Sequence, residues 1–104
     1  MMHYDVVFSD LAITDLSDIV QFITEKESYS RAKYVERELL KTAKCLETFP
    51  NGYAKDEYAS TPELVVRFIV KWNYKLVFTV HENTVYIAGI FHTSQNPDKL
   101  KTLF

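Results

Sequence analysis

The chain carries a single cysteine, Cys45, in 104 residues. No intrachain disulfide can form, which excludes a small disulfide-stapled scaffold and suits a reducing cytoplasm. It has only two glycines and three prolines, so there is no flexible linker, low-complexity tract or Gly-rich phosphate loop. No run of about 18 apolar residues occurs, and no membrane-spanning helix is expected. The start, MMHYDVVFSD, lacks the basic stretch and long apolar segment of a secretory signal. His3, His81, His92 and Cys45 do not fall at metal-ligand spacing, and neither a metal nor another cofactor is expected. The net charge of −2 is not that of a strongly basic nucleic-acid binder.

What is present is apolar and aromatic. Hydrophobic residues make up 47% of the chain and aromatics 14%, enough for a packed globule. The length is that of one small domain, expected to span 1–104. Charge is unevenly spread. Residues 1–60 hold 7 Lys/Arg against 11 Asp/Glu, and residues 61–104 hold 5 against 3. The second part could therefore offer a modestly positive surface to an anionic partner.

Hydrophobic periodicity reads as β-α-α-β-β-β. His3–Phe8 alternates as a short strand. Ser9 stands as an N-cap, followed by Ala12, Leu16, Ile19, Val20 and Ile23 at helical spacing. A second helix begins near Ser28 or Ser30, buries Ala32, Val35, Leu39, Ala43 and Leu46, and ends near Phe49, before Pro50 and the Asn51-Gly52 turn signal. The short link makes the helices antiparallel. After a loop over Tyr53–Pro62 come three strands rich in Val, Ile, Phe and Tyr, at Leu64–Lys71, Tyr74–His81 and Thr84–His92. Their turns fall at Trp72-Asn73 and Glu82-Asn83. Asn96-Pro97 opens a tail, Gln95–Phe104, that can add a final helical turn. The fold class is α+β, an antiparallel sheet with a helical hairpin packed on one face.

Alternation then assigns the faces. A two-residue turn at Glu82-Asn83 pairs Val80 with Val85 and Lys75 with Ile90. Phe68, Phe78 and Ile87 should lie under the helices, and Arg67, Lys75, Tyr86 and His92 should gather on the opposite, half-open face. Arg67 joins that group only if the Trp72-Asn73 turn has odd register, the one its apolar pattern favours. Cations on a half-open sheet suit an anionic ligand or the acidic side chains of a partner, and a histidine can move protons near neutral pH. Each of the three also has an ordinary structural reading, as a surface ion pair or a satisfied surface histidine. The carboxylates Asp15 and Asp18 share one helix surface and read as solvated.

The run VVRFIVKWNYKLVFTVHENTVYIAGIFHTSQNP resembles the RelE/ParE toxin superfamily. Arg67, the Tyr74-Lys75-Leu76-Val77-Phe78 strand, the strand Val85–Ile90 and His92 through Pro97 fall in the order of the family pattern. Val7-Phe8-Ser9, Ala12, Asp15-Leu16, Ile19 and Phe22-Ile23 look like its first strand and helix. The resemblance implies a toxin of a bacterial type II toxin–antitoxin module, neutralised by a cognate antitoxin and acting in the cytoplasm. A homodimer is one arrangement open to it. In the RelE-like branch the target is ribosome-bound mRNA, and Arg67, Lys75 and His92 would form the catalytic group of an endoribonuclease, supplying an acid or base and cations for the phosphorane. In the ParE-like branch the target is DNA gyrase and no hydrolysis is involved. A toxin fold that has lost activity is a third reading. The sequence departs from the pattern at Lys75, where an arginine is usual, and at Ser94 and Gln95. The cluster of lysines expected of an RNase is missing, with Lys55 the nearest candidate. mRNA cleavage is the activity this reading favours.

Overall fold

The structure is a computed structural model that describes residues 3–93. Strand β1 (Asp5–Phe8) leads into helices α1 (Asp10–Lys26) and α2 (Tyr29–Lys44), followed by strands β2 (Arg67–Lys71), β3 (Tyr74–His81) and β4 (Thr84–His92). The α+β order matches the sequence pattern. The expected helical turn over Gln95–Phe104 lies outside the described residues.

Both helix starts follow from their caps. The Ser9 hydroxyl oxygen accepts the Ala12 N–H at 3.0 Å, and that of Ser28 accepts the Arg31 N–H at 3.1 Å. Each satisfies a backbone donor that the helix itself cannot. The Ser9 hydroxyl also donates to the Ala88 carbonyl at 2.9 Å, tying the start of α1 to the middle of β4. α2 gives way at Cys45–Glu47 to a tighter 3₁₀ turn. The chain then reverses through Phe49, whose φ of 62° is left-handed, into Pro50. Among the described residues no helix is long and apolar enough to cross a membrane.

The sheet order is β1-β4-β3-β2. β2–β3–β4 is an antiparallel meander, while β1 pairs with β4 in parallel. The two helices cover one face. There Ala12, Ile23, Ala32, Val35, Leu39 and Leu46 meet Leu76, Phe78, Val85 and Ile87 in the main core. Full burial of a large aliphatic or aromatic side chain stabilises by about 1.5–3 kcal/mol, so this interface holds the hairpin on the sheet.

Two features depart from simple alternation. First, Val80 pairs with Val85 as expected, but a β-bulge opposite Val77 and Phe78 shifts the register. Lys75 then pairs with Phe91, and Ile90 with Leu76. Second, Trp72-Asn73 is a two-residue turn that pairs Lys71 with Tyr74 and Arg67 with Phe78. Cross-strand partners share a face, so Arg67 points to the helix side and Phe68 to the opposite side, the reverse of the expectation. Phe68 is drawn there because that face is not bare. The segment before β2 folds back over it, and Ala59, Val66 and Val77 form a second, smaller core with Leu64 and Phe91.

Candidate functional site

The three residues singled out from sequence are not gathered on one face. Arg67 sits on the helix side of the edge strand β2, where its Nη1 donates to the Tyr53 carbonyl at 2.8 Å. The backbone of the same segment runs along the outer edge of β2. Phe68 N–H donates to the Ala54 carbonyl at 3.0 Å, Asp56 N–H donates to the Val66 carbonyl at 2.6 Å, and Lys55 bridges Arg67. Arg67 thus fastens a loop to an edge that would otherwise expose unpaired backbone groups.

Lys75 does stand on the face away from the helices, but its charge is engaged. The ammonium lies 2.7 Å from Asp56 Oδ2 and 4.4 Å from the centroid of the Phe68 ring. Asp56 is only 4% exposed. Its Oδ1 accepts the N–H groups of Tyr58 at 2.9 Å and Ala59 at 3.1 Å, while among the described residues Oδ2 has no partner beyond that ammonium contact. Burial pushes the Asp56 carboxyl up, but the Lys75 ammonium and the two N–H groups outweigh it and hold the group below its ordinary value. The pair pins the 56–66 loop over the second core.

His92 is turned to the helix side by the bulge. It pairs with Tyr74, the two rings meeting edge to face with centroids 5.7 Å apart. The rings open onto a groove of about 440 Å³ lined by Asp15, Asp18, Ile19, Phe22, Tyr74, Ile90 and His92. The grouping of Lys75 with His92, expected from unbroken alternation, is therefore corrected by the bulge. The inclusion of Arg67 is corrected by the two-residue turn.

Two residues that hold this arrangement were passed over in sequence. Asp15, read as solvated, accepts the Ile90 N–H at 3.0 Å through Oδ2, satisfying a backbone donor at the bulge. Burial raises its carboxyl pKa, the Ile90 N–H opposes that, and the Asp18 charge adds to the rise. Gly89 leaves the room. A Cβ there would stand 3.0 Å from the Phe91 ring and 3.2 Å from Asp15 Oδ2. An isolated glycine inside a strand pattern is the available signal for such a bulge. Asp56 had no comparable signal, because its partner Lys75 is distant in sequence.

Among the described residues no group of three or more His, Cys, Asp or Glu side chains could hold a metal ion. Cleavage of a phosphodiester needs an acid or base and a cation around one phosphate. Here the ammonium and the imidazole lie on opposite sides of the sheet, and the guanidinium is committed to a backbone carbonyl.

The comparisons with known proteins agree with the topology. A family model described as the ParE toxin of the type II toxin–antitoxin system, parDE, matches residues 6–97. The solved chain described as "Chromosomal ParDE TA system from P. aeruginosa" is similar with a TM-score of 0.70 at 16% identity, covering 86% of this chain and 96% of that one. At that identity the likeness is one of fold. No curated protein matches the chain.

Proposed function

Since the chain belongs to the ParE toxin family of type II toxin–antitoxin systems, we propose that it arrests growth by binding a protein target without hydrolysing a substrate, and that the target is DNA gyrase. The observation that carries this reading is the dispersal of Arg67, Lys75 and His92 over the two sides of the sheet, with Lys75 held by Asp56 at 2.7 Å. A binding surface tolerates such dispersal. A ribonuclease centre does not, because its acid, base and cations act on one phosphate. Ribosome-dependent mRNA cleavage, favoured on sequence, lacks a converging set of this kind among the described residues. The partner in the cell is a cognate antitoxin, and the place of action is the cytoplasm, where gyrase and DNA are.

The test is expression from a tight promoter, with and without the adjacent small gene. Growth arrest relieved by co-expression, with relaxed plasmid DNA and intact reporter mRNA, is the expected result. Arrest with primer-extension stops inside ribosome-bound mRNA would replace this reading with the RelE-like one. Normal growth at verified soluble expression would point to a fold that has lost activity.

A further inference from the structure

The chain's small negative charge conceals two oppositely charged helices. α1 carries Asp10, Asp15, Asp18 and Glu25 against Lys26, whereas α2 carries Arg31, Lys33, Arg37, Lys41 and Lys44 against Glu36 and Glu38. The buried side of α2 is Ala32, Val35, Leu39, Thr42 and Ala43. At 3.6 residues per turn the stripe facing away from it is Lys33, Arg37, Lys41 and Lys44, and all four are exposed. The acids stand at its margins, where Glu36 meets Lys33 at 2.7 Å and Glu38 meets Lys41 at 3.3 Å. Exposed apolar side chains also flank the stripe. Leu40 is on one side, and Tyr34 and Trp72 are on the other, their rings 6.0 Å apart. Lys71 adds a cation over the Trp72 ring at 4.7 Å.

A surface that docks an amphipathic protein segment has an apolar centre and a polar rim. This surface is inverted, with cations along its centre and apolar groups at its edges. A line of cations about 16 Å long on a rigid helix matches a regular polyanion, and an α-helix fits the roughly 12 Å wide major groove of B-DNA. The corresponding groove of duplex RNA is too deep and narrow for side chains. We propose that the outer face of α2 is a binding surface for duplex DNA, gripping phosphates through Lys33, Arg37, Lys41 and Lys44 without reading sequence. The surface is independent of which protein the toxin inhibits, so this inference stands or falls apart from the gyrase reading.

Trp72, the chain's only tryptophan, borders the stripe and reports on it. Its emission is followed while a 20-base-pair duplex is titrated into the full chain at salt from 50 to 200 mM. Four phosphate contacts predict a log–log salt slope of about −3.6, or about a 150-fold loss of affinity over that range. R37Q/K41Q should lower the slope's magnitude by about 2 and weaken binding at 50 mM salt at least tenfold, with an unchanged circular dichroism spectrum. K26Q/K55Q, which removes as much charge elsewhere, should bind like the parent. No binding at 50 mM salt would overturn the proposal, and so would equal binding by R37Q/K41Q. Duplex RNA binding as tightly as DNA would overturn the choice of DNA. Poly-glutamate binding more tightly than the duplex would reassign the face to an acidic protein partner.

Discussion

Replacing Lys75 with methionine keeps the aliphatic stem and removes the ammonium from Asp56 Oδ2, a nearly buried oxygen with no other polar partner among the described residues. Breaking a buried ion pair by removing one partner costs about 3–5 kcal/mol, since the remaining charge is left uncompensated. Lys75 is 24% exposed on its side chain, so water reaches one end of the pair and screens it. Two N–H groups still hold Oδ1. The expected loss is about 2 kcal/mol, which for a domain of this size lowers Tm by about 10 °C. The pH dependence follows from Asp56. Its folded carboxyl lies below the ordinary 3.8, so its contribution is present above that value and is lost as pH falls through the folded pKa. Without Lys75, burial prevails and the carboxyl rises above its ordinary value, so the sign reverses: in K75M Asp56 costs stability as pH rises through its folded pKa, and the Tm gap to the parent should narrow as pH falls. Thermal melts followed by circular dichroism from pH 3 to 8 measure both effects. D56N in the K75M background should recover most of the lost Tm, because a neutral amide replaces the stranded charge. If K75M melts within about 2 °C of the parent at neutral pH, Lys75 is an ordinary surface cation and the clamp is refuted.

Arg67→Ala should cost about 1 kcal/mol in urea titrations, the net value of a hydrogen bond, by freeing the Tyr53 carbonyl; an unchanged midpoint would show that Arg67 does not fasten the loop. Gly89→Ala should cost about 1–3 kcal/mol, as its Cβ would crowd the Phe91 ring and Asp15 Oδ2, and a denaturation midpoint at or above the parent's would contradict the bulge. Asp15→Ala should cost about 1–2 kcal/mol by stranding the Ile90 N–H, whereas Asp15→Asn should melt at or above the parent at pH 7. In Asp15 the folded pKa is raised above 3.8, so the parent loses stability as pH rises from that value through the folded pKa; the Asn variant, which keeps an acceptor, should lack that loss.

The fold was legible where a residue's neighbours in sequence determine its structure. Ser9 and Ser28 cap their helices through N–H groups three residues on, and the main core's helical stripe is visible as period. The site was less legible, because faces depend on register and register depends on distant contacts. Beyond Ala88, alternation fails at one bulge, which depends on Asp15, 75 residues from Ile90, and on the small Gly89. Phe68 was misplaced because the more apolar set of this segment, with Val66 and Phe68, lies on the side covered by the 54–66 loop, while Arg67, Ile69 and Lys71 take the helix side. When both faces of a sheet are covered, alternation does not say which set faces which layer. Lys75 and Asp56 meet through that same loop, and no local pattern announces it.

This ParE-family chain is proposed to disable its target by binding. The most direct test is a titration of the purified protein into a DNA gyrase supercoiling reaction, with ribosome-bound mRNA as a parallel substrate. Inhibition should saturate near one toxin chain per gyrase site, persist in His92→Gln, and leave the mRNA whole. Cleavage of the mRNA at toxin levels far below the ribosome concentration, abolished by His92→Gln and with supercoiling untouched, would contradict that proposal.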